Sequence, residues 1–397
     1  MSRVLMLVCA VADDPVHDAC GQRRVDFRQT AAALDAEVLD LGVVSGSRFG
    51  RLLLRGLGKY VALAVLAFAR LVRGGTTELV LCDNENEALV LATLLKLSGR
   101  RVPVVMLGID ATARKKAPFF LLRAQTHIDL WLPYGSLQAQ QLTSRRGVPA
   151  ERVRLLPYYA DEVFFDAAAV THPFQDRPSS RPYVLAVGRQ HRDYPLLLEV
   201  ATDLAADVVI AAGSLYSKTP DRLEGRPLPA NVSVVSLDYE QLRRAYAAAA
   251  VVVVPTVEAD FGPGMTAVVE AMSMARPVVW TRAAGSGDYV ADRRAALRGT
   301  ALVRSTHGLV AAAAGATPDA RGPHGLMVPV GDATALRKAI RHLLENPEEA
   351  AQLGRRGRLQ VEQALTMDAF VARIVAGVQD VLQGHAGGPA SSTRTAL

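Results

Sequence analysis

The sequence predicts an α/β protein of two facing Rossmann-like domains, each a parallel sheet with helices on both faces. Three observations predict it. Short apolar runs alternate with helix-length amphipathic ones along most of the 397 residues. The alternation stops at a polar stretch with three prolines, THPFQDRPSSRP (171–182), and restarts beyond it. Half of the residues are hydrophobic, enough to bury two cores.

The N-terminal domain is expected over 1–170. RVLMLVCAV (3–11), AEVLDL (36–41), TELVLCD (77–83), VPVVML (102–107), IDLWLP (128–133) and RVRLLP (152–157) read as buried strands, and helices are expected over 22–34, 50–73, 86–98 and 135–146. After the 171–182 linker, the second domain (183–365) continues with strands at 182–188, 207–213, 231–236, 250–255, 276–281 and 325–330. Its helices are expected at 193–204, at 239–248 and over Thr266 to Ala275. Residues 366–383 form an expected last helix that packs back on the N-terminal domain, and 384–397 has the composition of a disordered tail. Between them the Ala- and Arg-rich stretch 291–322 is longer than connections in such folds usually are, and reads as a partly helical flap or a mobile loop. No sequence repeat relates the two halves.

The formal charge is +6, from 45 basic and 39 acidic residues. Basic residues read as interspersed with acidic ones, with no zinc-finger spacing and no aromatic-plus-basic signature, so nucleic acid is not an expected partner. Cys9, Cys20 and Cys82 are odd in number and lack redox or metal spacing, which fits a reducing, cytoplasmic setting. The N-terminal apolar run is too short for a secretory signal. The arginine-flanked segment 51–75 has an uninterrupted run, Tyr60 to Ala69, too short to span a bilayer. It reads first as a helix covering the sheet, with peripheral membrane contact as the alternative.

The chemistry concentrates in EADFGPGMTAVVEAMSMARPVV (258–279). At about 100° per residue, Met265, Val268, Val269 and Met272 form an apolar stripe while Thr266, Glu270 and Ser273 share a narrow second one. A buried carboxylate needs a partner, and ligand hydroxyls serve as well as an arginine. The preceding Gly262-Pro263-Gly264 turn leaves leading helix amides open at the positive end of the dipole, a seat for a phosphate. AVGRQHRDYP (186–195) ends a strand at Gly188 and presents Arg189 and Arg192 from the same sheet edge, and two guanidinium forks suit a diphosphate. No DxD triplet and no paired-histidine spacing occurs, so no metal is expected.

GPGMTAVVEAMSMARPVV, GDYV and GLMVPVGDATALRKAIRHLLENPEEAAQLGRRGR, together with PYVLAVGRQHRDYPLLLEVATDL, resemble the donor-binding half of the family-4 retaining glycosyltransferases of GT-B fold. The resemblance extends over roughly 125–380. It implies that Glu270 binds the ribose hydroxyls of a nucleoside diphosphate sugar and that Arg189 and Arg192 bind its diphosphate. Amides around Gly264, Met265 and Thr266 would hold the distal phosphate or the donor sugar. It implies no cofactor beyond the NDP-sugar co-substrate, and a transfer in which the leaving diphosphate helps take the acceptor's proton.

The sequence departs from that pattern in three places. Gly262 stands where the family commonly has a first glutamate, with Glu258 and Asp260 out of register; a subset of these enzymes with an RDY sequence shares this glycine-rich version. The loop after the first strand offers only Gly21 in place of a glycine pair, and Asp110 stands near where a histidine is often found. The third departure is the 291–322 stretch. His17, His127 and His191 are expected nearest the cleft loops, with His17 and Asp110 the catalytic candidates of the N-terminal domain. Two other functions fit the same residues, a nucleotide-sugar epimerase and a non-catalytic NDP-sugar-binding protein. The unusual N-terminal half suggests a small-molecule natural product as acceptor; lipid-linked and cell-envelope glycan acceptors stay open, and so does the base of the donor.

Overall fold

The computed structural model describes residues 3–12, 23–74, 76–172, 174, 181–213, 223, 225–290 and 323–386. His17, most of the linker, the 291–322 stretch and residues 387–397 lie outside the described residues.

The N-terminal domain runs β1 (Val4–Val8), α1 (Asp26–Ala33), β2 (Glu37–Asp40), α2 (Leu41–Gly46), α3 (Arg48–Leu57), α4 (Lys59–Arg73), β3 (Leu79–Cys82), α5 (Glu85–Leu97), β4 (Val104–Gly108), α6 (Ala117–Leu121), β5 (Leu130–Pro133) and α7 (Ser136–Arg146). Its five strands are parallel in the order β2-β1-β3-β4-β5. The second domain contains β6 (Tyr183–Val187), α8 (Tyr194–Ala201), β7 (Asp207–Ala211), β8 (Val232–Val235), α9 (Tyr239–Ala248), β9 (Val251–Val254), α10 (Met265–Ser273), β10 (Val278–Arg282), β11 (Leu326–Pro329), α11 (Ala333–Glu345) and α12 (Pro347–Ala364). Its six strands are parallel in the order β11-β10-β9-β6-β7-β8. The last helix, α13 (Met367–Ala386), leaves this domain and packs against α1 and β3 of the first.

The expected α/β class with two parallel sheets is the fold observed. Runs such as VVVV in β9 and LVLC in β3 are wholly buried, as strands covered on both faces must be. The outer face of the first sheet packs on α4 and α5, that of the second on α8 and α11, and one apolar cluster fills the inner faces of both.

Three expected elements differ. Residues 152–157 form no strand. Arg154 and Leu156 donate to the carbonyls of Trp131 and Pro133, but only a single bridge, Trp131 to Val153, closes at this edge, and the next donor in that alternation, the Tyr158 N–H, goes to the Tyr289 hydroxyl instead. The long helix over 50–73 is two helices, because Gly58 at φ 79° turns the chain between α3 and α4. The last helix continues through Gly384 to Ala386, one turn into the segment expected as tail.

The domains meet at a polar seam. Ser136 donates to Asp288 from its backbone N–H and its hydroxyl, at 2.7 and 2.6 Å. The Tyr289 hydroxyl donates to the Tyr134 carbonyl and accepts from the Tyr158 N–H. The GDYV stretch is therefore a bridge between domains. Arg24, ahead of α1, pairs with Asp161, Glu162 and Asp368 and ties the connecting segment and α13 to the first sheet.

Candidate functional site

In the second sheet the strand order reverses between β6 and β9, and ligands of such sheets bind at that switch point beyond the carboxyl strand ends. The loops after these two strands are joined there by an antiparallel bridge between Arg192 and Thr256. A cavity of about 370 Å³ opens at this place. It is lined by Gly188, Arg189 and Arg192 after β6, by Gly262, Gly264, Met265, Thr266 and Glu270 of the turn and α10, and by Ile109 of the N-terminal domain. Eight of the sequence-derived site residues, Gly188 among them, thus come from two loops and one helix into one volume.

Arg192 is buried, its guanidinium held by donation from Nε to the Val187 carbonyl at 2.8 Å and from one terminal nitrogen to the Gln190 carbonyl at 2.9 Å. Burial lowers its pKa, opposed by Tyr194, Tyr246 and Glu270. The two flanking glycines are required by this placement. Gly188 has φ 100°, and a Cβ there would meet Arg192 at 2.3 Å; Gly264 has φ 89°, and a Cβ there would meet Val254 at 2.4 Å. No side chain caps α10, whose N-cap is Gly264; the Met265 N–H turns back to the Gly262 carbonyl at 3.3 Å, and the Thr266 and Ala267 amides that follow have no side-chain cap. The indole N–H of Trp280 donates to the Pro263 carbonyl and pins the turn.

Glu270 lies 6% exposed, one turn inside α10. Its Oε2 accepts from the Tyr246 hydroxyl at 3.0 Å. Burial pushes its carboxyl up to about 7, against the pull of Arg23, Tyr246 and Arg192. Of the other two residues on its predicted stripe, Thr266 is exposed at the cavity, while the Ser273 hydroxyl is spent on the Phe165 carbonyl at 2.7 Å. The stripe therefore splits. Its deep end is structural, and at its outer end Thr266 lines the cavity while hydrogen-bonding Tyr158.

Arg23 is the residue that sequence reasoning missed. It comes from the N-terminal domain, stacks over the Tyr239 ring at 4.2 Å and acts on Glu270 from across the cleft. Burial opposes its charge, but Tyr239, Tyr159 and Glu270 outweigh that and raise its pKa. The available signal was its position, just ahead of α1 at the carboxyl edge of the first sheet. Tyr246 was equally illegible, since on α9 it reads as core.

Asp110 sits half-buried after β4, its neighbour Ile109 lining the cavity. Burial raises its carboxyl pKa, with Lys116 pulling down and Glu85 and the facing Asp260 pushing up. Glu85 organises this loop by accepting from the Ile109 and Asp110 N–H groups and pairing with the buried Lys116. Glu258 is engaged by the Ala284 N–H at 2.7 Å. His191, with φ 56°, lines the cavity and packs edge-on against Phe261. His127 was expected near the cleft and is not there: it precedes β5, at the amino edge of a parallel sheet whose cleft lies at the carboxyl edge. Among the described residues no group of three His, Cys, Asp or Glu side chains could hold a metal ion.

Residues 181–313 match the family model described as Glycosyl transferases group 1. Comparison with curated proteins gives no match. Solved structures share the architecture. Sucrose-phosphate synthase from Thermosynechococcus elongatus superposes at TM-score 0.64 with 18% identity, covering 97% of this chain and 100% of that one. The alpha,alpha-trehalose 6-phosphate synthase from Burkholderia multivorans does so at 0.69 with 12% identity, covering 97% and 100%. Anabaena HepE in complex with UDP does so at 0.60 with 13% identity, covering 96% and 100%. Residues 181–313 thus carry a group 1 glycosyltransferase match, in a chain whose whole length follows the two-domain GT-B fold of these structures.

Proposed function

We propose that the protein moves a sugar from a nucleoside diphosphate sugar to an acceptor hydroxyl, with retention of anomeric configuration and without a metal ion. The observation that carries this reading is the convergence of Arg189, Arg192, the uncapped end of α10 and the buried Glu270 on one cavity. A diphosphate fits between two guanidinium groups and a helix end. The ribose diol would donate to Glu270, giving the buried carboxylate the partner that stabilises its ionised form.

The chemistry then needs no further protein group at the leaving oxygen. As the bond from the anomeric carbon to the phosphate oxygen breaks, Arg189, Arg192 and the α10 amides take up the developing charge. The acceptor oxygen bonds to the same face of that carbon, and its proton passes to the departing phosphate oxygen. Asp110, next in sequence to Ile109 of the cavity wall, would accept from a hydroxyl of donor sugar or acceptor. His17 is the first N-terminal histidine to test by substitution.

Calorimetric titration with UDP, GDP, dTDP and ADP tests the donor site, beginning with UDP because the fold neighbour HepE is described with UDP and with UDP-glucose. Glu270→Ala should abolish binding while the melting transition of the free protein persists. Turnover with a sugar acceptor panel, in the presence of a chelator and with the anomeric configuration of the product read by NMR, tests transfer. A new sugar stereochemistry without acceptor would identify an epimerase, and tight binding without turnover a binding protein.

A further inference from the structure

Basic residues, expected to be interspersed with acidic ones, gather without them in one stretch. From Leu41 to Thr77 there is no acidic residue, while Arg48, Arg51, Arg55, Lys59, Arg70 and Arg73 supply six positive charges. The remaining 39 basic residues balance the 39 acidic ones, so this stretch accounts for the whole formal charge of +6.

The same stretch carries several exposed apolar side chains. Val43 is 58% exposed, Phe49 55%, Leu52 67% and Leu57 57%. On α3, Gly50, Leu53 and Leu54 face inward, the two leucines packing on the core beneath. At about 100° per residue, Phe49 and Leu52 fall on one flank of the outward face and Arg48, Arg51 and Arg55 on the other. Arg51 is fixed by donation to the Ser45 and Gly46 carbonyls. An apolar flank beside a basic flank is the arrangement of a helix that lies in a lipid interface. By contrast α4, the longer part of the arginine-flanked segment 51–75, buries Ala62, Leu63, Ala64 and Ala67 against the sheet, and its Arg70 pairs with Glu37.

The position is also informative. The Leu41 N–H donates to the Ala10 carbonyl, and Asp40 accepts from the Ala12 N–H, so α2 and α3 are stitched to the loop after β1. Val11 of that loop is itself exposed and lies 3.4 Å from where a Gly42 Cβ would be. These are carboxyl-edge loops of the first sheet, on the acceptor side of the cleft.

We propose that the outward face of α2 and α3, Val43 to Leu57, docks on an anionic lipid surface and sets the N-terminal side of the cleft against it. The docking stands on its own observations; its consequence, that the acceptor is drawn from that surface, rests on the transfer reading above.

Co-sedimentation of the full chain with phosphatidylcholine vesicles, with and without phosphatidylglycerol, tests it. Binding is expected only with the anionic lipid and should fall with added salt. Phe49→Ser with Leu52→Ser, and separately Arg48→Glu with Arg55→Glu, should each lower the bound fraction at least roughly tenfold. Both variants should keep the wild-type melting transition and UDP titration, which read the fold and the donor site independently. Absence of wild-type binding to anionic vesicles, or variants that bind as well as wild type, overturns the proposal. So does a self-association abolished by the serine variant without any vesicle binding, which would make this face a contact between copies of the chain.

Discussion

The Tyr246 hydroxyl donates to Glu270 Oε2 at 3.0 Å, so the carboxylate that faces the cavity has one neutral partner on its own domain and an arginine across the cleft. With its carboxyl at about 7 in the fold against an ordinary 4.5, this glutamate is neutral in both states below pH 4.5. Between 4.5 and 7 the unfolded chain loses the proton first, so stability falls as pH rises through that window and the penalty is complete above it. Glu270→Gln removes the penalty. It should be more stable than wild type at pH 8, by up to about 3 kcal/mol, and equal to it at pH 4. Urea denaturation at the two pH values reads the difference, and the same variant should lose nucleotide affinity.

Gly188→Ala should displace the Arg192 guanidinium, since both the backbone angle and the 2.3 Å approach exclude a Cβ. A stability loss of about 1–3 kcal/mol is expected from strain and displacement together. If Arg192 binds the diphosphate, affinity should fall roughly tenfold to a hundredfold with it, as loss of one charge-assisted contact predicts. Calorimetry on the folded variant checks this.

Tyr289→Phe removes the hydroxyl shared by the Tyr134 carbonyl and the Tyr158 N–H. Two backbone groups at the domain seam are left without that partner, which should cost about 1–3 kcal/mol in chemical denaturation. Donor binding within the second domain should change little.

Lys116→Met leaves Glu85 without its buried counter-charge. A loss of about 3–5 kcal/mol is expected. Glu85→Gln on the same background should recover part of it, since the uncompensated charge is then gone. Melting of the single and double variants decides.

Much of this was legible in the sequence for simple reasons. The Gly188, Arg189, Arg192, Gly264 and Glu270 placement follows from strand-turn-helix spacing, because loops at the carboxyl ends of neighbouring parallel strands have nowhere else to go. Arg23 and Tyr246 were not legible, since each reaches Glu270 through tertiary packing from elements far away in sequence. Residues 152–157 misled because an apolar run records burial and not hydrogen bonding. His127 stands ahead of the strand expected over 128–133, so sequence order together with a parallel sheet already puts it at the amino edge, away from the cleft.

The return of α13 to the first sheet has a consequence for modularity. Phe370 and Ile374 are fully buried with β1 and β3 residues in the inner cluster, so the wall of the N-terminal unit is supplied by a segment that follows the second domain in sequence. A recombination that exchanged everything after the linker would import a foreign wall along with a new donor specificity. Grafting succeeds only if the crossover points bracket 183–365 and leave the last helix with its original host.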